Sequence, residues 1–375
     1  MPFDFADLRR RPDFEAANLV AVDATDRLLL DEAATALGAA SAGQAVVIGD
    51  HYGALTLGAA ALHGLTGIRV HQDPLVSELA LGLNADEAGL AGTYTQHALD
   101  ESLVAGARVV LLQLPRSLAA LDEIAGLIAR HADPEVVVFA GGRLKHMATT
   151  MNDVLREHFE VLYAGLARQK SRVLTASEPV SPPVVSTWPR TQRHDDLGLE
   201  IRAFGGTFAG AKIDIGTRAL LEVLPQAVPG AETIVDLGCG SGVLAVAAAV
   251  ARPTAQIVAS DQSAAAVAST RATAEANGVA ERVTVVRDDA LSSQSDGSFD
   301  LVLLNPPFHV DAAVEPGVAL KLFKAAARVL KPGGELWTVY NSHLKHRDTL
   351  QEVVGETRQV TRNPKFTVTA SVRRG

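Results

Sequence analysis

Cysteine is almost missing from this chain of 375 residues, with Cys239 the only one. That excludes an internal disulfide framework and any cysteine-rich zinc site. No apolar stretch reaches the ~18–20 residues of a membrane span. The start, Met1-Pro2-Phe3-Asp4-Phe5-Ala6-Asp7, is acidic and lacks the basic and apolar regions of a signal peptide. The expectation is a cytoplasmic protein with no membrane partner. Basic residues are outnumbered, and the formal net charge is -9. Broad, non-specific nucleic-acid binding is therefore disfavoured. A nucleic-acid substrate met by a local basic face is not. The balance of 47% hydrophobic to 21% charged residues is that of a globular chain, and the length suits two domains.

What the sequence does have is a repeat. Ala45-Val46-Val47-Ile48-Gly49-Asp50-His51-Tyr52-Gly53-Ala54-Leu55-Thr56-Leu57 is echoed by Thr233-Ile234-Val235-Asp236-Leu237-Gly238-Cys239-Gly240-Ser241-Gly242-Val243-Leu244-Ala245. Val70-His71-Gln72-Asp73 is echoed by Val258-Ala259-Ser260-Asp261, and Val109 to Pro115 by Leu301 to Pro307. Leu144-Lys145-His146 matches Leu344-Lys345-His346, and Arg168 to Val173 matches Asn363 to Val368. The correspondences fall in one order, so the chain reads as two copies of one α/β domain.

Each copy alternates short β-rich runs with alanine-rich helical stretches, the pattern of a parallel sheet covered by helices. The second copy predicts strands near 233–237, 256–260, 282–286, 300–304, 334–340 and 365–372, the last two closing as a hairpin-like end. Lys331-Pro332-Gly333-Gly334 reads as the turn into the fifth strand. Residues 1–40 read as largely helical. The domain expectation is 1–177, a proline-rich linker at 178–183, and 184–375. Val184 to Trp188 and Leu199 to Ala203 read as a β-hairpin ahead of the second sheet.

Chemistry concentrates at strand ends of the second copy. Asn305-Pro306-Pro307-Phe308 follows the apolar run Asp300 to Leu304. Two prolines permit neither helix nor ladder, so this is a stiff loop at a carboxyl strand end, where open α/β sheets place ligands. Its amide oxygen and a carbonyl can accept the hydrogens of an NH2 group, and its ring can stack on the group's plane. Gly238, Cys239, Gly240 and Gly242 form a loop that lets a ligand approach the backbone. A dinucleotide and S-adenosylmethionine compete for it. Asp236 at its mouth repels a pyrophosphate and suits an ammonium, and the loop lacks the full G-x-G-x-x-G. Asp261, with Gln262, ends the next strand roughly 20 residues on, where an acid accepts from ribose hydroxyls. Asp289, with Ala290, is placed to accept from an adenine amine. Cys239 reads as a small filler, not a nucleophile.

The second copy resembles class I methyltransferases that act on exocyclic or amide nitrogens. The whole chain is similar, more narrowly, to the bacterial ribosomal RNA guanine-N2 methyltransferases. The resemblance rests on Phe208 through Lys212-Ile213-Asp214-Ile215-Gly216-Thr217, the glycine loop, Asn305 to His309, Asn341-Ser342-His343-Leu344 and Asn363-Pro364-Lys365-Phe366. Gly53-Ala54-Leu55, Ser77-Glu78-Leu79-Ala80 and Lys170 look like the large-subunit (23S) branch. The resemblance implies tandem Rossmann-like domains, the first degenerate and the second catalytic, with S-adenosylmethionine as cofactor. It implies ribosomal RNA or a ribosomal subunit as partner. A fused pair of sheets suits a monomer. The target guanine would leave its stack, stack on Phe308, and give its N2 hydrogens to Asn305 and the Pro306 carbonyl. No metal and no covalent nucleophile is required. By resemblance, Asp214 and Thr217 close over the cofactor's methionine end; read alone, they cap a helix. His309, Lys212 and Phe208 are candidate substrate contacts.

In the first copy, bulky His51 and Tyr52 stand in the loop, and Gln113-Leu114-Pro115-Arg116 stands where the amine-binding tetrapeptide should be. A retained fold without chemistry suggests support or RNA docking, with Arg116, Arg143, Lys145, His146, Lys170 and Arg172 as candidate phosphate contacts. Two other readings stay open. One is methylation of adenine N6 in RNA or DNA. The other is a non-catalytic RNA-binding or assembly factor on a methyltransferase scaffold.

Overall fold

The computed structural model describes residues 3–16, 19–307 and 315–375. Phe308 and His309 lie outside the described residues. The chain divides into two compact units, Met1–Trp188 and Pro189–Gly375.

In the first unit the strands are β1 (Ala45–Ile48), β2 (Ile68–His71), β3 (Tyr94–Gln96), β4 (Val109–Gln113), β5 (Val137–Arg143), β6 (Phe159–Ala164) and β7 (Ser171–Pro179). Its helices are α1 (Ala24–Ala39), α2 (Ala54–His63), α3 (Leu75–Ala88), α4 (Glu101–Val104), α5 (Leu118–His131) and α6 (Thr149–His158). The second unit opens with a hairpin, β8 (Arg190–His194) and β9 (Leu199–Ala203), and continues with β10 (Thr233–Leu237), β11 (Gln256–Asp261), β12 (Val283–Arg287), β13 (Phe299–Leu304), β14 (Leu330–Asn341), β15 (Thr357–Arg362) and β16 (Phe366–Val372). Its helices are α7 (Ile215–Val223), α8 (Val243–Ala251), α9 (Ala264–Ala276), α10 (Glu315–Val329) and α11 (Arg347–Val353). Among the described residues, no helix is long and apolar enough to cross a membrane.

The repeat is a repeat of topology. The first sheet runs β3-β2-β1-β4-β5-β7-β6 and the second β12-β11-β10-β13-β14-β16-β15, each with seven strands in the same permutation. The first five strands of each order pair parallel, and only β7 and β16 run the other way, antiparallel to both their neighbours. Parallel strands covered on both faces are apolar on both. In β13, Leu301 and Leu303 face one core and Val302 and Leu304 the other, all fully buried.

The structure moves several expected features. Among the described residues of the first forty, helix is confined to α1 and a single turn at Phe5–Asp7. The hairpin's first strand is β8, not 184–188: His194 faces Leu199 and Arg190 faces Ala203. Val184 and Val185 stay exposed, while the Trp188 indole donates to Asp122 of α5 at 3.1 Å. β8 escaped notice because Arg190-Thr191-Gln192-Arg193-His194 has no apolar alternation. Proline at 183 and 189 brackets the apolar run that took its place. Strand β7 continues to Pro179, so the expected linker begins inside the first sheet. The segment from Lys331 to Gly334 lies within β14, where the register with β13 shifts. β15 was not expected; this polar strand comes between β14 and β16 in the chain but lies at the sheet edge, so the two strands read as a hairpin-like end do pair antiparallel.

The register of the repeat also differs from the letter matches. Ile48 pairs with His71 and Leu112, as Leu237 does with Ser260 and Leu304. Gly49 and Gly53 therefore correspond to Gly238 and Gly242, and Val47 to Asp236. Arg143 pairs with Ser171 as Asn341 does with Phe366. The Leu-Lys-His match at 144 and 344 is thus displaced by two positions.

Candidate active site

The site of the second unit forms where the strand order reverses. β10 lies between β11 and β13, and a ligand crevice opens outside carboxyl ends at such a switch point. Leu237, Ser260 and Leu304 share one level of the sheet. The residues that follow them, Gly238, Asp261 and Asn305, thus emerge along one edge.

The glycine loop turns from β10 into α8 with Gly238, Gly240 and Gly242 at φ of 76°, 55° and 80°. These angles are in the left-handed region, where a side chain is strained. Among the described residues, chain neighbours apart, no atom lies within 4 Å of where a Cβ would stand on Gly238 or Gly240. At Gly242 the same atom would meet Thr270 Cγ2 at 2.8 Å. Thr270 pins the loop, donating to the Gly240 carbonyl at 3.0 Å and lying 3.2 Å from Cys239 Sγ. Cys239 is buried, and burial together with the charges of Asp261 and Asp236 pushes its thiol well above its ordinary value. It has no thiolate character, in keeping with the filler role expected for it.

Asp236 is 1% exposed and sits on the α8 side of the sheet. Its Oδ2 accepts from the Ala245 N–H at 3.0 Å, and its Oδ1 is buried with no partner among the described residues. Burial raises its carboxyl to about 7; the Ala245 hydrogen bond opposes the rise and the Asp261 charge adds to it. A buried carboxylate oxygen without a partner is costly unless it carries a proton or meets a donor or cation. Asp261 holds the loop from the other side, accepting from Gly240 N and Ser263 N at 3.0 Å each. Gln262 is exposed, its carbonyl accepting from Arg287 at 3.3 Å.

Past β12, two adjacent acids separate. Asp288 is buried, and Ser292 and Ser293 donate to it at 2.5 to 3.0 Å. Burial opposes its ionisation, but these bonds prevail and hold its carboxyl below the usual range. Asp289 turns outward, and both its oxygens accept from Lys321 Nζ, at 2.7 and 2.6 Å. Ala290 follows at φ 53°, so the backbone bends sharply here.

Asn305 is half-buried, directly after β13. Its Nδ2 donates to Asp214 Oδ2 at 3.0 Å and to Thr217 Oγ1 at 2.9 Å, while Oδ1 is buried with no partner among the described residues. Pro306 is buried and Pro307 exposed. Asp214 is also the N-cap of α7, accepting from Thr217 N at 3.1 Å. The helix-cap reading of Asp214 and Thr217 is thus present, and Asn305 is tied into it. That link spans 91 and 88 residues of chain and left no signal in the sequence. Phe208 and Lys212 are exposed on the segment leading into α7. Phe366 is buried, as its place at the start of β16 suggested.

The first unit closes the same edge from within. Asp50, at the place of Cys239, accepts from Gly53 N, Thr56 N and Thr56 Oγ1. Gln72, at the place of Asp261, donates to the Asp50 carbonyl at 2.6 Å. Tyr52 is buried, with its hydroxyl donating to Asp13 and Arg10 over its ring. Side chains fill the loop that glycines leave open in the second unit.

A methyltransferase small domain model matches residues 198–370, and an RLMG N-terminal domain model matches residues 1–180. The Pseudomonas aeruginosa (strain UCBPP-PA14) protein named ribosomal RNA large subunit methyltransferase G is 36% identical over 371 residues, covering 98% of this chain and 97% of its own. The chain belongs to the ribosomal RNA large subunit methyltransferase G family. A member from Streptomyces avermitilis is 34% identical over 380 residues, again covering 98% and 97%. Among solved structures, the T. thermophilus 16S rRNA N2 G1207 methyltransferase (RsmC), in complex with AdoMet and guanosine, covers 94% of this chain and 92% of its own. The TM-score is 0.76 at 22% identity, a likeness of fold. Family membership and fold agree with the tandem arrangement, one copy open at its glycine loop and the other filled.

Proposed function

We propose that the chain transfers a methyl group from S-adenosylmethionine to the exocyclic N2 of a guanine in ribosomal RNA, in the large subunit. The observation that carries this reading is Asn305, held by its amide nitrogen with Oδ1 buried and without a partner among the described residues, at the same sheet edge as the glycine loop. The family membership supports ribosomal RNA as the substrate class. When bound, S-adenosylmethionine supplies an electrophilic methyl group on a sulfonium.

The residues fit that cofactor. The free oxygen of Asp236 suits a cation, Asp261 is the ribose-side acid, and Asp289 with Ala290 lies at the next strand end. Asn305 Oδ1 and the Pro306 carbonyl accept the two hydrogens of the amine, which leaves the nitrogen lone pair directed at the methyl group. Phe308 follows in sequence to stack on the base. Positioning of this kind supplies much of the rate of a direct transfer. The first unit has the role of support and RNA docking, and the protein works in the cytoplasm as a monomer.

Nucleoside mass spectrometry of RNA from a deletion strain tests the reading. The expected result is loss of one N2-methylguanine from large-subunit RNA. Unchanged N2-methylguanine in both ribosomal RNAs would overturn it, and loss of N6-methyladenine instead would reassign the acceptor.

A pH dependence follows from Asp236. Its carboxyl is raised from 3.8 to about 7 in the free protein. This shift works against folding as pH rises from 3.8 through about 7, because the folded state holds the proton longer. A cation bound beside it favours the ionised form. Cofactor affinity should therefore tighten as pH rises towards 7 and level off above, approaching about tenfold per pH unit on the acid side. Calorimetry between pH 6 and 8 should show proton release on binding, and Asp236→Asn should flatten the profile.

A further inference from the structure

We infer that Thr217 and Asp214 are positioning residues for Asn305, clamping its amide so that Oδ1 alone faces the acceptor amine. The inference rests on the reading above, in which Asn305 Oδ1 takes a hydrogen from that amine.

An asparagine amide has two nearly isosteric ends, and only the oxygen can accept. In the reverse orientation, Asn305 would aim an NH2 group at the NH2 of the base, two donors facing each other. Something must choose the end. A carboxylate offers acceptors only, so Asp214 Oδ2 at 3.0 Å selects the nitrogen. Thr217 Oγ1, at 2.9 Å, takes the second hydrogen of the same nitrogen. Both donors of the amide are then engaged, and the side chain cannot turn without losing two hydrogen bonds. Gly216 completes the clamp. A Cβ there would stand 3.0 Å from Asp214 Oδ2, 3.2 Å from Phe366 Cε1 and 3.4 Å from Asn305 Oδ1. Glycine leaves room for the amide to lie flat against the turn.

The first unit holds a second, independent instance. Gln113 takes the place of Asn305, since Leu112 and Leu304 occupy the same level of their sheets. Asp23 caps α1 as Asp214 caps α7, and Asp26 stands three residues into the turn, like Thr217. Gln113 Nε2 donates to Asp26 Oδ1 at 2.5 Å. The amide at the end of the fourth strand is thus tied by its nitrogen to the third residue after a helix cap in both copies. A cap needs no such link: Thr217 N–H alone satisfies Asp214 in that role. A pair of residues that served only the cofactor would have no reason to hold the strand-end amide where the glycine loop is filled.

The test is single-turnover methylation of large-subunit RNA from the deletion strain, at saturating S-adenosylmethionine, with cofactor affinity and melting measured alongside. Thr217→Val removes the acceptor and keeps the shape and the backbone N–H that Asp214 caps. It should slow transfer by about 10- to 100-fold, with cofactor affinity and melting close to wild type. Thr217→Ser should restore the rate; Thr217→Ala serves as the second probe if valine prevents folding. A wild-type rate for both Thr217→Val and Thr217→Ala would overturn the clamp. So would a variant whose affinity for cofactor falls while its saturated rate is normal, since that makes Thr217 a cofactor contact. Asn305→Ala, run in parallel, separates the two ideas. If it also transfers at the wild-type rate, the reading of Asn305 itself fails; if it is slow while Thr217→Val is fast, only the clamp fails.

Discussion

Asn305→Ala should lose transfer by about 100- to 1,000-fold, the cost of removing one pre-aimed hydrogen-bonding group from a reacting centre. The fold should survive. Asn305 lies past the end of β13, outside the ladder, and Asp214 Oδ2 keeps its bond from Thr217 N–H when the amide is gone. Asp236, Asp261 and the glycine loop are untouched, so cofactor affinity should stay close to wild type. Asn305→Asp is the instructive companion. It keeps an acceptor but sets a second carboxylate where Nδ2 now lies 3.0 Å from Asp214 Oδ2. Like charges at that range favour a proton on one of them. At saturating cofactor its residual transfer rate should therefore gain a pH dependence beyond the one Asp236 gives cofactor binding in the wild type. Single-turnover rates with melting curves decide both, and a fully active Asn305→Ala would remove the enzymatic mechanism argued above.

The loss is expected in the second unit alone. Gln113→Ala in the first unit breaks the analogous link to Asp26, but no open loop lies beside it. Asp26 is buried and its carboxyl is raised to about 8, burial being the main cause. Removing the Gln113 donor leaves a buried acceptor with one partner fewer, a cost of about 1–3 kcal/mol. Gln113→Ala should therefore lower the melting temperature and leave the intrinsic transfer rate unchanged. The two substitutions, at matching positions of matching sheets, separate what the fold needs from what the chemistry needs.

How much of this was legible differs by element. The parallel strands were readable because burial on both faces makes them short apolar runs between turn residues, as in Ile234-Val235 and Leu301 to Leu304. β8 and β15 were not, because a strand with a polar exposed face carries little apolar signal; Thr357-Arg358-Gln359-Val360-Thr361-Arg362 has one aliphatic residue. The glycine loop, Asp236, Asp261 and Asn305 were readable because local spacing places each at a strand end. The register between the copies was misread by one residue at β1 and β2, since Asp73 and Asp261 match at one offset while Gly49 with Gly238 and Gly53 with Gly242 match only at the next. Hydrogen bonding settles it through Gly49 N to the His71 carbonyl and Gly238 N to the Ser260 carbonyl. The Asn305 clamp was invisible for another reason. It joins residues far apart in the chain through atoms that each look sufficient for a local cap.

The glycine loop gives the second large effect, and its three glycines should fail in two different ways. Gly242→Ala places a Cβ 2.8 Å from Thr270 Cγ2, 3.0 Å from its Oγ1 and 3.1 Å from its Cα. The last of these is backbone of α9 and cannot swing aside. Left-handed strain adds ~1–2 kcal/mol, and overpacking adds ~1–3 kcal/mol more. Relief requires α9 or the loop to move, which breaks the Thr270 bond to the Gly240 carbonyl. Gly242→Ala should therefore lower stability by about 2–5 kcal/mol and abolish cofactor binding with it. Gly238→Ala meets no atom of the described residues within 4 Å, its chain neighbours apart. It should fold with a penalty of only ~1–2 kcal/mol, yet its methyl group projects into the space along which a ligand must lie against the backbone. Cofactor affinity should fall by more than tenfold while melting changes little. Thermal denaturation with and without S-adenosylmethionine reads both quantities at once. A Gly238→Ala protein with intact affinity would move the ligand away from this loop.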